Sequence, residues 1–266
     1  MRKLILFLLI APMVAIAGVE GSACAVLGHV EGHVLVRVEG SQKLQPVAEG
    51  RSLSWGEGVI TGDASRYEVH PATGGGLWRV GRRAVFMLKE GGARLLAGTA
   101  LVQVPAKALW RVESIRSAVV LPEGSWFVQA VDNRGLKIVC LDGSEPIQAW
   151  GDPSKPAEAA AVASLRMKPG ELVFLQPEGK AFSPVVTIYL EEALGTSRLV
   201  NGFPEPVPGM PRLINLGTAQ RERLTKLSPA VVVGANKAGG FQIAVPNPPK
   251  PESAGEGAVD VKTGEK

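Results

Sequence analysis

Glycine-containing turn signals recur along the first two thirds of the chain at intervals of roughly ten residues, and this spacing leaves room only for short elements. Short apolar segments lie between the turns, and some alternate with a period of two, as at Val34, Val36 and Val38. The pattern predicts a mainly β domain of many short strands, with a solenoid-like stack and a sandwich both left open. The turn signals are Glu39-Gly40, Glu49-Gly50, Gly56-Glu57-Gly58, Gly62-Asp63, Gly74-Gly75-Gly76, Gly91-Gly92, Glu123-Gly124, Gly135, Asp142-Gly143 and Pro169-Gly170.

The clearest local unit is a predicted β-hairpin with strands at 126–131 and 136–141. Residues 132–135, with the sequence Asp-Asn-Arg-Gly, join the two strands. Gly135 suits the left-handed conformation that such a loop needs, and Asp and Asn favour the start of a turn.

The β domain is predicted to span residues 26–182. It includes short strands at 101–104 and 171–175, and the second is apolar on both faces, which predicts a buried strand. Residues 151–163 interrupt this pattern with a proline-containing loop, followed by one helical turn or a longer excursion.

A small helical extension is predicted over residues 183–245. One apolar stripe falls on Val186, Leu190 and Leu194, with Gly195 as a plausible end of the helix. Residues 201–209 contain several prolines and are predicted to be irregular. A second helix is predicted after Pro211, with one face formed by Leu213, Leu216, Gln220, Leu224 and Leu227.

The extension has two interpretations. Its helices either pack on the β domain as a cap or, with the segment around Phe203, dock a partner or cover a strand edge. A terminal strand pair is left open at 230–233 and 241–245. Residues 246–266 are rich in Pro, Gly, Lys and Glu, which predicts a disordered tail.

The N-terminus has the pattern of a secretory signal peptide over residues 1–25. Arg2 and Lys3 precede an apolar run at 4–14, which is short for a membrane-spanning helix of about 20 residues. Cleavage after Ala17 and cleavage after Ala25 both satisfy the small-x-small rule, and the polar stretch at 18–22 favours the second site. An uncleaved anchor is a further alternative. The sequence therefore predicts export to the periplasm or the cell envelope.

The chain has two cysteines, Cys24 and Cys140. Cleavage after Ala25 would remove Cys24, whereas cleavage after Ala17 would keep both and permit a disulfide. Attachment of a lipid to Cys24 is a third alternative. Cys140 lies on an apolar strand face, which predicts a buried structural thiol.

The charge pattern argues against nucleic-acid binding. The net charge is +4 and the basic residues are scattered, with the densest group at Arg79, Arg82 and Arg83 and Lys89 nearby. Nucleic-acid binders concentrate charge more strongly and add a recognisable module. We expect this group to form a solvated basic edge.

No residue pattern predicts a metal site or a cofactor. His29 and His33 are four residues apart, a spacing that places both on one face of a strand, and His70 is the remaining histidine. Surface histidines are the favoured interpretation. Gly74-Gly75-Gly76 lacks the Lys-Ser/Thr that follows a phosphate-binding loop.

No catalytic residue is predicted either, and we expect the protein not to be an enzyme. Ser125 and Ser144 lie at a strand start and in a turn, without the Gly-x-Ser-x-Gly pattern of a nucleophile. A carboxylate pair of an envelope hydrolase remains the enzyme-class alternative. The carboxylates beside turn glycines are expected to cap backbone N–H groups; they are Asp63, Asp142 and Glu171.

Residues 28–177 resemble the FecR domain family of exported bacterial proteins. The family's early elements are matched by Gly32-His33-Val34, Gly50-Arg51-Ser52-Leu53 and Gly58-Val59-Ile60-Thr61-Gly62-Asp63-Ala64-Ser65. Its middle and closing elements are matched by Val104-Pro105-Ala106, Arg111-Val112-Glu113-Ser114, Gly124-Ser125-Trp126-Phe127-Val128, Val139-Cys140-Leu141-Asp142-Gly143 and Pro169-Gly170-Glu171. These are structural positions, with an insertion or a slip before Gly124.

The resemblance implies an exported binding or scaffolding module without catalysis, whose partner is an envelope protein or a glycan. The family's best-known members regulate sigma factors through a cytoplasmic helical domain, and only Met1-Arg2-Lys3 precede the apolar run here. We therefore expect no contact with a sigma factor. An accessory protein that senses an envelope signal for a membrane regulator is the alternative function.

Overall fold

The computed structural model describes residues 23–227, except 39, 42, 132–134, 152 and 154–160. Fifteen strands dominate it, which confirms the prediction of a mainly β fold. The strands are β1 Ala25–Glu31, β2 Val34–Arg37, β3 Leu44–Pro46, β4 Ser52–Leu53, β5 Gly58–Thr61, β6 Arg66–Pro71, β7 Leu77–Val80, β8 Val85–Lys89, β9 Gly92–Glu113, β10 Ala118–Val131, β11 Gly135–Gly143, β12 Ile147–Trp150, β13 Ala163–Leu165, β14 Glu171–Leu175 and β15 Val186–Thr187. The helices are α1 Leu190–Thr196, α2 Arg198–Asn201 and α3 Met210–Leu227.

Two long antiparallel strands, β9 and β10, form the spine of a branched sheet. Along its edge away from β10, β9 pairs first with β8 and then with β7. Each of these two strands begins a branch of the sheet. One runs through β7, β6, β1 and β4, and the other through β8, β5, β2 and β3. The far edge of β10 divides in the same way, between β12–β13 and β11–β14–β15.

The first two branches face each other across the core, as the layers of a sandwich do. Trp78 of β7 and Phe86 of β8 meet edge to face at 5.3 Å between ring centroids, and Tyr67 of β6 contacts Phe86 at 6.3 Å. All three side chains are almost fully buried. Trp110 of β9 stacks on Trp78 at 5.2 Å between ring centroids and belongs to the same core.

The predicted hairpin is confirmed, with longer strands than the sequence indicated. Trp126 pairs with Cys140, and Val131 with Gly135, which has a φ of 89°. The strand at 171–175 is also confirmed as β14. Its description as buried on both faces is wrong, because Phe174 is 38% exposed.

The first helix of the extension starts later than predicted. Val186 and Thr187 pair with β14 as strand β15, and α1 begins only at Leu190. The predicted second helix is α3, and residues 202–209 are irregular, as expected. The short helix α2 was not predicted.

The extension packs on the outer face of the sheet. Strand residues alternate between faces, so Val102 and Cys140 point into the core while Leu101, Val139 and Leu141 point outward. Each large apolar side chain buried between the sheet and the extension stabilises the folded protein by about 1.5–3 kcal/mol. The extension supplies Ile188, Leu190, Leu194, Leu199, Val200, Phe203, Val207 and Leu213.

Gln220, one of the predicted face residues of α3, joins the two longer helices. Its Oε1 accepts a hydrogen bond from the backbone N–H of Leu190 at 2.8 Å, and its Nε2 donates to the carbonyl oxygen of Ile188 at 2.8 Å. The start of α1 is thereby capped by a buried amide on α3. These contacts correspond to the cap interpretation of the extension.

The start of β1 and the cysteine before it lie in the core. Cys24 is 6% exposed and Ala25 is fully buried, and both neighbour Leu53 of β4. No helix among the described residues is long and apolar enough to cross a membrane. The signal peptide up to residue 22, residues 157–160 of the predicted helical turn or excursion, the strand pair after 229 and the tail lie outside the described residues. The end of that predicted segment is not helical, because Ala163 begins strand β13 and pairs with Ala149.

Candidate functional site

The three histidines do not come together. Strand β1 contains His29 but ends before Gly32, which turns the chain with a φ of 78°, so His33 lies beyond the strand. The expectation that His29 and His33 share a strand face is therefore wrong. His70 Nε2 lies 3.4 Å from Glu68 Oε2. Within the part of the chain that the structure covers, no three His, Cys, Asp or Glu side chains are grouped to hold a metal ion.

Both thiols are buried and free. Burial raises the pKa of Cys140, which keeps its thiol protonated as expected for a structural cysteine. Cys24 Sγ donates to the carbonyl oxygen of Leu53 at 3.2 Å, and burial raises the pKa of Cys24 as well. Ser125 is buried in β10, and Ser144 is exposed in the turn after β11.

The three candidate carboxylates are used structurally. Glu171 accepts from a backbone N–H three residues earlier at 2.6 Å, as the turn prediction stated. Asp63 instead binds Arg83, with Nη2 to Oδ2 at 3.0 Å, and Asp142 binds Arg212 of α3 at 2.8 Å. For Asp63 and Asp142 the expected backbone cap is replaced by a salt bridge.

A buried arginine on β7 joins the sheet to the extension. Arg79 is 1% exposed, and its Nε donates to Glu68 Oε1 at 2.6 Å. Its Nη1 donates to the carbonyl oxygens of Leu199 at 3.4 Å and Val200 at 3.0 Å, and its Nη2 donates to that of Glu205. Burial lowers the pKa of Arg79, and Glu68 opposes this shift.

Phe203 covers this arginine from the solvent side. The ring centroid lies 4.4 Å from Arg79 Cζ and 5.8 Å from Arg66 Cζ, both within cation–π range. His29 meets the ring edge to face at 5.7 Å. Phe203 is 8% exposed, so in this conformation it packs against the sheet and is not displayed to a partner.

The basic group singled out in the sequence is not a single solvated edge. Arg79 is buried and Arg83 is paired with Asp63. Lys89 lies at the end of β8, on the other branch of the sheet, and its Nζ binds the buried Glu113 of β9 at 2.8 Å. Arg82 alone of the four makes no salt bridge among the residues described. It faces a cleft at the junction of sheet and extension.

This junction cleft has a volume of about 490 Å³, within the range of roughly 300–1,000 Å³ typical of small-molecule sites. Its arginines come from three elements: Arg66 begins β6, Arg82 lies in the turn between β7 and β8, and Arg198 begins α2. The lining residues are Asp63, Ala64, Ser65, Arg66, Gly81, Arg82, Thr99, Arg198 and Leu199.

The cleft has more positive than negative charge. Arg66 is paired with Glu31, but its Nε is buried with no hydrogen-bond partner in the described part of the chain. Arg82 and Arg198 are exposed, and neither makes a salt bridge to a described residue. Guanidinium groups are planar donors that match carboxylate and phosphate oxygens. The geometry therefore suits an anionic ligand.

Hydroxyl groups fix the walls of the cleft. Thr61 Oγ1 donates to the carbonyl oxygen of Gly81 at 2.7 Å and accepts from the backbone N–H of Ala84 at 2.8 Å. Ser65 Oγ accepts from the backbone N–H of His33 at 2.8 Å. These bonds hold the two turns that present Arg66 and Arg82.

Sequence reasoning named Arg82 only as part of a basic group, and it missed Arg66 and Arg198. Nothing in the local pattern marks either residue, since each is an isolated arginine at the start of its element. The only available signal was the turn chemistry around Gly62, which places Arg66 close to a chain reversal.

No family model matches this chain, and no curated protein does. Two crystal structures of a "putative anti-sigma factor" from Parabacteroides distasonis ATCC 8503 match it, at 1.65 and 2.50 Å resolution. The two structures are 11% and 12% identical in sequence to this chain, and each has a TM-score of 0.37. Each match covers 49% of this chain and spans 59% of the length of the other chain. The FecR resemblance stays a prediction.

Proposed function

We propose that the protein is an exported, non-catalytic binding module of the bacterial cell envelope, with a FecR-like β domain, and that its partner binds in the junction cleft. The observation behind this proposal is the convergence of Arg66, Arg82 and Arg198 from three elements on one cleft. The partner is an envelope protein or glycan with anionic groups at its contact.

The ionisable groups of the cleft favour binding over catalysis. Arginine stays protonated at physiological pH and is a poor proton donor or acceptor. The hydrogen bond and charge of Arg83 lower the pKa of Asp63, so this carboxylate is a weak base as well. The cleft thus offers fixed positive charge, which binds anions, and lacks a group suited to proton transfer among its described lining residues.

Export is supported by the N-terminal sequence, in which Arg2 and Lys3 precede the apolar run at 4–14. In the alternative form of the proposal, the same cleft binds an envelope ligand and the protein reports it to a membrane regulator. Both forms need the cleft to bind an envelope component.

Cosedimentation with isolated cell envelopes tests the proposal. The mature protein is mixed with envelopes from its own host, and the bound fraction is compared with that of Arg82→Ala/Arg198→Ala. Arg37→Ala/Arg223→Ala is the matched control, because it removes the same charge from exposed arginines on β2 and α3. We expect the cleft variant to lose most binding and the control to keep it.

Equal binding of all three proteins would show that the cleft is not the contact site. Absence of the natural protein from envelope and periplasmic fractions would contradict export. Turnover of cell-wall glycans by the purified protein would contradict a non-catalytic role. Protease treatment of the envelopes distinguishes the two partner classes, because it abolishes binding to a protein and leaves binding to a glycan.

A further inference from the structure

We propose that the junction cleft binds a phosphate monoester group, as carried by a phosphorylated sugar, through Arg82 and Arg198. This inference rests on the proposed function and names the ligand chemistry of the same site. It follows from the charge count, the unpaired donors and the lining of the cleft.

The charge count favours a doubly charged ligand. Four arginines lie in the cleft or pair with its lining residues: Arg66, Arg82, Arg83 and Arg198. Two carboxylates, Glu31 and Asp63, neutralise two of them. Two positive charges remain, and a phosphate monoester carries about −1.5 to −2 charges at pH 7. A single carboxylate would leave one positive charge unmatched.

Unpaired donors are the second observation. Arg82 and Arg198 line the cleft with exposed side chains and make no salt bridge to any described residue, so their guanidinium N–H groups are accessible to a ligand. Three terminal oxygens of a phosphate monoester offer acceptors to several such donors at once.

The remaining lining explains why charge would dominate recognition. No aromatic ring is among the described lining residues, so a sugar ring has no stacking surface there. The hydroxyl of Ser65 is buried and already accepts from the backbone N–H of His33. The half-buried Thr99 is therefore the neutral polar side chain of the described lining that can bond a sugar hydroxyl, and such a bond contributes less than the charged contacts.

Isothermal titration of the mature protein with glucose 6-phosphate tests the inference. Glucose and glucuronate serve as the neutral and singly charged probes. We expect saturable binding of glucose 6-phosphate that weakens with added salt, weaker binding of glucuronate and none of glucose. Arg82→Ala and Arg198→Ala should each weaken binding about tenfold or more, since a charge-assisted hydrogen bond is lost, and Arg37→Ala should have no effect.

Three results would overturn the inference. They are no saturable binding at millimolar glucose 6-phosphate, binding of glucuronate with the same affinity, and a loss of affinity in Arg37→Ala as large as in the cleft variants. Thermal unfolding of each variant shows that it is folded, and both cleft arginines are exposed. The envelope assay separates this inference from the proposed function. If the protein binds glucose 6-phosphate but its binding to envelopes does not depend on the cleft arginines, only the proposed function is refuted. If binding to envelopes depends on these arginines but glucose 6-phosphate does not bind, only the ligand class is refuted.

Discussion

The Nη1 atom of Arg79 donates a hydrogen bond of 3.0 Å to the carbonyl oxygen of Val200, which lies 121 residues later in the chain. The same guanidinium is held by Glu68 on the neighbouring strand. The contact joins a sheet residue to the end of helix α2, and Phe203 shields it from solvent. It therefore fixes the extension to the sheet at the point where the junction cleft forms.

Replacing Arg79 by Ala should strongly destabilise the protein. The change leaves the carboxylate of Glu68 buried without its arginine and three carbonyl oxygens without a donor. Removal of one partner of a buried ion pair costs about 3–5 kcal/mol. Urea unfolding measures the loss, and Arg37→Ala, an exposed arginine on β2, should change stability by less than about 0.5 kcal/mol. Equal stability of the two variants would contradict the role of Arg79.

The sequence predicted the local elements well because their signals are local. Gly135 marked the hairpin, and the leucine stripe beginning at Leu213 marked α3. The length of β9 was missed, because Pro105 and several exposed residues interrupt its alternation. Lys107 has a φ of 62°, which no pattern in the sequence indicates.

The burial of Arg79 and the cleft were beyond prediction for a different reason. Arg79 lies between the buried residues Trp78 and Val80 on β7. Because side chains alternate along a strand, Arg79 points to the face opposite these two, and an arginine there is expected to be exposed to solvent. Its partners are carbonyl oxygens of a distant irregular segment. Likewise, the cleft arginines meet only after the extension has docked, so no spacing in the sequence identifies them.

The buried start of β1 predicts which signal cleavage site is used. The backbone N–H of Cys24 donates to the carbonyl oxygen of Leu53 at 2.8 Å, and the carbonyl oxygen of Cys24 accepts from the backbone N–H of Ala72 at 2.8 Å. Ala25 pairs with Pro71. A chain beginning at Val26 loses these bonds and should be less stable by about 2–3 kcal/mol than one beginning at Gly18. Urea unfolding of the two chains measures the difference.

Intact-mass analysis of the natural protein should then find a mature chain that begins at Gly18. Attachment of a lipid to Cys24 is disfavoured for the same reason, because its buried Sγ donates to Leu53. A mature chain that begins at Val26, or a lipid on Cys24, would refute this prediction.

Gly76 should not tolerate a side chain. Its φ is 92°, and a Cβ there would lie 2.5 Å from the ring of Trp110, which stacks on Trp78. Gly75 provides the control, with a φ of 71° and no heavy atom within 4 Å of the same position. Both Ala variants bear backbone strain of about 1–2 kcal/mol, and Gly76→Ala adds a clash of about 1–3 kcal/mol. Thermal unfolding should therefore rank Gly76→Ala clearly below Gly75→Ala, and similar melting temperatures would contradict the packing described for Trp110.

Tyr67→Phe should stabilise the protein. The hydroxyl of Tyr67 is buried and has no hydrogen-bond partner in the described part of the chain. Removal of an unsatisfied buried hydroxyl should raise the free energy of unfolding at pH 7 by about 1 kcal/mol. The control is Tyr189→Phe, since Tyr189 is the other tyrosine of the chain and is only half-buried. Urea unfolding compares the two, and a loss of stability in Tyr67→Phe would show that its hydroxyl is bonded.

The same variant should flatten the alkaline limb of the stability profile. Burial raises the pKa of Tyr67 well above its ordinary value. The unfolded chain then loses this proton first as pH rises through about 10, which favours unfolding. The stability linked to Tyr67 is therefore fully present below that pH and declines above it. Unfolding measured between about pH 8 and 10.5 should show a shallower decline in Tyr67→Phe than in Tyr189→Phe, with Cys140 contributing a remaining slope because burial also raises its pKa.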